Sequence, residues 1–262
     1  MFDQKRVVVV RRAAELCRAS TRRDFLKAMG VGGTIVLLPG IFAACNDSKI
    51  NGVPNPGTGT TYTLDLSNDI GILNYAYALE QLEAAYYTAA IASPGFAALS
   101  ASEQEVFSDL QKHEVIHREF FKTVLGTAAI PTLAFNTTTV GTLTASRTVL
   151  LSTAQLLEDT GVSAYNGAGK YLTSAAYLLI AGKIVSVEAR HAAAIRDIRD
   201  GANGKLFAGD DVVNASGLDV KAEPSAVIAG VNGLNVVVGT VAIGTQPDSS
   251  KKTADQPAPT PT

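Results

Sequence analysis

The chain has 262 residues, 47% of them apolar and 18% charged, with a formal net charge of −2. That is ordinary globular composition, with enough length for one sizeable core. Without residues 1–44 the balance is 14 basic against 21 acidic residues, a net charge of −7, and an acidic surface of this kind excludes nucleic acid as an expected partner. The two cysteines, Cys17 and Cys45, form no Cys-x-x-Cys pair, which excludes a zinc ribbon and a four-thiolate iron site.

The N-terminal 45 residues read as a targeting segment rather than as part of the fold. Thr21-Arg22-Arg23-Asp24-Phe25-Leu26-Lys27 precedes a Gly-rich, weakly apolar stretch from Ala28 to Phe42. The order resembles a twin-arginine (Tat) export signal, and the stretch is shorter than the ~20 residues of a spanning helix. Ile41-Phe42-Ala43-Ala44-Cys45 resembles a bacterial lipoprotein cleavage box, although Phe42 departs from the usual pattern. Lipidation of Cys45 is therefore expected, with a simple small-residue cleavage site as the alternative. Both readings place the protein in the bacterial cell envelope, in the periplasm or at the cell surface. Residues 46–64 are rich in Asn, Gly, Pro and Thr and read as a flexible tether.

Four segments with helical periodicity follow, and they predict an all-α bundle. The first spans about Asp69 to Ile91, stopped by Ser93-Pro94-Gly95. The second spans about Ser102 to Leu125, with Ser102 and Glu105 as a capping box and Gly126 as its stop. The third covers about Ala145 to Ala168, and the fourth about Thr173 to Asp200. Short connections make each consecutive pair an antiparallel hairpin, whereas the stretch from Gly126 to Thr144 is long enough to cross the bundle once. The bundle then occupies residues 65–201. Residues 202–245 read as a small C-terminal appendage with a short helix near Ala222 to Ala229 and a β-branched run from Leu234 to Ile243. Residues 246–262 read as a disordered tail.

Chemistry concentrates in a twofold repeat. Glu114 and His117 on the second helix, and Glu188 and His191 on the fourth, are each spaced by three residues, which puts each pair on one helical face a turn apart. Glu80 on the first helix and Glu158 on the third are each followed seven residues later by a tyrosine, Tyr87 and Tyr165. Seven residues is two turns, so each Tyr shares a face with its Glu. Four carboxylates directed into a core are unfavourable when ionised and unpaired. Two divalent cations balance their four charges, and oxygen ligands with one imidazole per ion suit iron(II) or manganese(II).

Several choices remain inside this site. Glu83 competes with Glu80 as the ligand from the first helix, though the repeat favours Glu80. His113, one turn before His117, is a candidate extra ligand, a supporting partner of a ligand or a satisfied histidine. Tyr87 and Tyr165 are candidates for hydrogen-bonding the ligand carboxylates or donating an electron, against a plain core role. Glu103, Glu105, Glu119, Asp197 and Asp200 read as solvated positions or caps.

The same residues resemble the ferritin-like superfamily, whose di-metal members use one Glu from each of two helices and Glu-x-x-His from the other two. More narrowly, the stretches Leu73 to Tyr87, Gln111 to Phe121 and Leu156 to Ala168 look like the ferritin-like domain family, which includes exported bacterial proteins and plant desiccation-related proteins. The resemblance implies a ferritin-like four-helix bundle binding two iron or manganese ions. It also implies ferroxidase or peroxide- and oxygen-consuming activity in oxidative stress protection. The alternative is a non-catalytic, desiccation-related module whose metal site only stabilises the bundle. Expected partners are metal ions, small oxidants and, through the lipid, a membrane, with a homodimer left open.

Overall fold

A computed structural model describes residues 59–253. The Tat-like signal, Cys45, most of the tether and residues 254–262 lie outside the described residues. Among the described residues the order is β1 (Thr61–Asp65), α1 (Asp69–Ala90), α2 (Pro94–Ala97), α3 (Ala101–Leu125), α4 (Thr137–Leu143), α5 (Arg147–Ala168), α6 (Ala175–Arg199), α7 (Pro224–Gly233) and β2 (Thr240–Thr245). Helices α1, α3, α5 and α6 form an all-α four-helix bundle with one long crossover between α3 and α5.

Helix α1 is buried on nearly every side, including residues as polar as Asn74, Gln81 and Glu83. A helix apolar around most of its circumference belongs in the interior, and α1 packs against β1, α3, α4 and α5. It begins where the Asn68 side chain accepts the Gly71 amide at 3.0 Å. Its first residue also starts α6: the Asp69 carboxylate accepts the backbone N–H groups of Thr173 at 2.7 Å and Ser174 at 2.8 Å. Glycine is required at 71, because a Cβ there would sit 1.4 Å from the Asp65 carbonyl oxygen.

Helix α3 opens two residues earlier than expected. The capping box is Ser100 with Glu103, not Ser102 with Glu105: the Ser100 hydroxyl accepts the Glu103 amide while the Glu103 carboxylate accepts the Ser100 amide at 2.7 Å. The other Glu103 oxygen accepts from Arg147 at the start of α5, and this cross-helix pair selects the earlier of two identical spacings. Gly126, at φ 53°, closes the helix.

The crossover is fixed along α1 rather than looping free. Asn74 donates to the Ala128 carbonyl at 2.9 Å and accepts from the Ile130 amide at 2.7 Å. Further along, Gln81 accepts from Leu133 at 2.8 Å, and at the far end Gly95 donates to the Thr144 carbonyl at 3.0 Å. Buried polar residues on α1 thus satisfy the backbone of a segment that has no ladder of its own. The Thr-rich run read as plain connection contains α4, nucleated where Asn136 caps Thr138 and Thr139.

The appendage and the end of the presumed tether form one structure. Residues 61–64, assigned above to the tether, form β1 together with Asp65, with alternating burial and parallel pairing to β2. The alternation in Thr-Tyr-Thr-Leu-Asp carries the strand period, which the Thr and Gly content around it conceals. Helix α7 packs on α5, and Glu223 before it accepts from Lys170 and from the Tyr171 hydroxyl. The expected tail also begins later, since Ser249–Thr253 form a 3-10 turn. Arg196, 2% exposed, joins α6 to α5 through Asp159 at 2.7 Å and to the following loop through Asp211 at 2.7 Å. Helix α5 meets the appendage backbone at Gly167, where a Cβ would lie 1.8 Å from the Ala222 carbonyl oxygen. Gly167→Ala is expected to cost about 1–3 kcal/mol of stability through overpacking, measured by urea denaturation of the purified chain.

Candidate metal centre

The bundle brings Glu80 from α1, Glu114 and His117 from α3, Glu158 from α5, and Glu188 and His191 from α6 into one place. The four carboxylates have no exposed surface and His191 is 3% exposed. Two overlapping groups result, Glu80–Glu114–His117–Glu188 and Glu114–Glu158–Glu188–His191, each with its potential ligand atoms within 4.8 Å of one another. Glu114 and Glu188 belong to both.

The atoms follow a twofold pattern. His117 Nδ1 lies 2.9 Å from Glu188 Oε1, 3.3 Å from Glu80 Oε2 and 3.4 Å from Glu114 Oε2. His191 Nδ1 lies 2.8 Å from Glu114 Oε1, 3.3 Å from Glu188 Oε2 and 3.4 Å from Glu158 Oε2. Each shared glutamate thus gives one oxygen to each half, and each histidine sits closest to the shared glutamate of the opposite helix.

The donor set fits divalent cations. The inward oxygens of all four glutamates and Nδ1 of both histidines are buried without a hydrogen bond, although the nitrogens and oxygens stand at contact distance. Ligands about 2.1 Å from a common ion are about 3.0 Å apart at octahedral and about 3.4 Å apart at tetrahedral angles. Four of the observed separations, 3.3–3.4 Å, fall in that range, and the other two, 2.8 and 2.9 Å, lie just below it. Orphaned polar atoms at this depth are strongly unfavourable unless something charged completes them.

The outer oxygens of Glu158 and Glu80 are held by the two tyrosines. Tyr87 donates to Glu158 Oε1 at 2.6 Å, and Tyr165 donates to Glu80 Oε1. Each tyrosine therefore serves the glutamate of the other helix, not the one seven residues before it. Two turns separate Glu80 from Tyr87 by about 10 Å along one axis, too far for a hydrogen bond. The antiparallel course of α5 beside α1 closes that gap. Both terminal glutamates so have one oxygen held by a phenol and the other facing the centre.

His113 is exposed. Its ring stacks on that of His191 at 5.2 Å and 9°, with Nδ1 3.0 Å from His191 Nε2. It occupies the outer nitrogen of His191 and leaves Nδ1 for the centre, a common way of orienting a histidine ligand. Val187 stands at the equivalent place on α6, so this support is one-sided. Glu83, buried at 3% exposure, enters neither potential metal group.

Electrostatics reflects four carboxylates sharing two imidazoles. Burial, reinforced by Glu188, pushes Glu80 well above the usual carboxylate range. Burial likewise raises Glu158, to about 8, against the pull of the neighbouring His191. Burial also acts to raise Glu114, but His117 and His191 beside it prevail and hold it at about 2. For His191, burial opposes protonation, yet the contacts with Glu114, Glu158 and Glu188 raise it to about 12, and His117 moves the same way. Protons on these groups compete with cations for the centre.

The ferritin-like domain family matches residues 68–200 of the chain, the segment that contains every residue of this centre. No curated protein matches the chain.

Two outcomes follow from the geometry. Metal analysis should find that Glu80→Ala or Glu158→Ala retains about one ion per chain, whereas Glu114→Ala or Glu188→Ala, which remove oxygens from both halves, retains well under one. Titration with manganese(II) should show affinity rising between about pH 6 and about pH 9. Raised carboxyls such as Glu158 and the imidazolium groups must lose protons to bind, so acid favours the proton and base the metal.

Proposed function

Because the chain belongs to the ferritin-like domain family, we propose that it is a di-metal carboxylate protein of the bacterial envelope, oxidising iron(II) or consuming peroxide or oxygen. The observation that carries this reading is the pair of shared glutamates, each dividing its oxygens between two histidine-containing halves. Two iron or manganese ions held there would supply Lewis acidity and a one-electron couple at each half.

The chain's own part is positioning and exclusion. Glu114 and Glu188 link the halves, while Glu80 with His117 and Glu158 with His191 complete each one. Tyr87 and Tyr165 stay protonated, since burial raises both phenols well above their ordinary value, so each remains a donor holding its carboxylate in one rotamer. They are also the nearest side chains able to give an electron. Phe107, packed against Tyr87 at 5.7 Å between centroids, helps keep water from that end. A proton at His191 Nε2 has an outlet through exposed His113.

Location rests on the sequence. The Arg22-Arg23 signal, Cys45 and the tether support export in the folded state and attachment by lipid, with metal loaded before transport. Among the described residues no helix is long and apolar enough to cross a membrane.

The decisive measurement is the metal content of folded protein from chelator-free cells, with rates of iron(II) oxidation and peroxide consumption. About two iron or manganese ions per chain are expected, with turnover reduced at least tenfold in His191→Ala. Fewer than one ion overturns the reading. Metal without turnover, with His191→Ala lowering only the melting temperature, would favour the stabilising module instead.

A further inference from the structure

Glu83 takes no part in either group of potential metal ligands, yet it is as deeply placed as those that do. Its carboxyl lies one helical turn beyond Glu80, 3% exposed, with Oε2 lacking any hydrogen-bond partner. Oε1 faces the bare Cα of Gly161, where a Cβ would approach to 3.0 Å. Such a group is strongly unfavourable in a core unless it has a purpose or a partner.

The carboxyl lines a cavity of about 290 Å³ between α1, α5 and α7. The walls are aliphatic, chiefly Leu79, Leu82, Leu157, Val227, Val231 and Leu234. Thr160 and Ser163 also line it, the Ser163 hydroxyl donating to the Thr160 carbonyl at 3.0 Å. The mouth lies by Leu156, 48% exposed, and by Ala226 and Gly230 on the exposed face of α7. An apolar chamber with a single acid inside has the anatomy of a small-molecule site.

We infer that this chamber binds a small uncharged organic molecule, an alcohol or phenol, whose apolar body fills the aliphatic walls and whose hydroxyl pairs with Glu83. Three features select that class. A cation would have to shed its water against aliphatic walls with one carboxyl as its oxygen ligand. An ammonium group brings three donors and a full charge, which the aliphatic walls cannot solvate. A hydroxyl both donates and accepts through one atom, so it can donate to the unpartnered Glu83 Oε2 when the carboxyl is ionised and accept from it when it is protonated. The inference does not rest on the metals being present, and its readout is independent of turnover.

The probe is 1-hexanol, titrated into the full chain while methyl NMR signals of Leu79, Val227 and Val231 are followed. Saturable shifts confined to these walls are expected. Glu83→Leu should weaken binding about tenfold, whereas Glu83→Gln, which keeps a donor and an acceptor, should stay within about threefold. Gly230→Leu should abolish binding at an unchanged melting temperature: a Cβ at 230 meets nothing within 4 Å, so the new side chain fills the mouth without disturbing the core. Absence of saturable shifts in the unmodified chain, undiminished binding by Glu83→Leu, or hexylammonium binding more tightly than 1-hexanol would each overturn the inference.

Discussion

Four glutamates directed into the centre of one small bundle govern the rest of this structure. Each ionised carboxylate loses several kcal/mol of hydration there, and their mutual repulsion adds to that. The surroundings answer one oxygen at a time. Tyr87 and Tyr165 hold the outer oxygens of Glu158 and Glu80, while the inner oxygens converge on His117 and His191 without hydrogen-bond geometry. Outer atoms are satisfied by the protein, and inner atoms form the groups that could hold cations. The long, regular helices are the means of holding this division, because rotamers on a helix are fixed better than those on a loop.

The site was legible because its ligands lie on regular helices. Spacing of three residues between Glu and His places both on one face whatever the tertiary context, and the repeat of that spacing distinguished Glu114 and Glu188 from surface acids. Relations between helices were not legible. Period alone put Tyr87 with Glu80 and Tyr165 with Glu158, whereas the antiparallel register of α1 against α5 exchanges the partners. The same holds for His113: one turn from His117 in sequence, it stacks on His191 from the opposite helix. The Glu-x-x-Glu spacing of Glu80 and Glu83 was visible, but not the chamber, which needs α7 as its third wall.

For the fold, the bundle and its single long crossover followed from period and connection length. Boundaries failed where two equal local signals competed, as at Ser100 and Ser102, and a contact from Arg147 decided between them. Composition concealed β1 and α4 inside stretches rich in Thr and Gly. Both are small elements that depend on distant partners, β1 on β2 and α4 on α1 and α5, against which it packs with Val140 buried, so their existence is a tertiary fact.

The pairing of β1 with β2 also bears on the order in which the molecule can be finished. One strand stands at the start of the described fold and the other near its end, and parallel register admits no local turn between them. During synthesis the bundle helices emerge before β2 and can associate as they appear. Residues 61–65 must wait until residues 240–245 have left the ribosome. The last step of folding is therefore the joining of these two strands, and a chain released early lacks its clasp even when every residue of the candidate metal centre has been made.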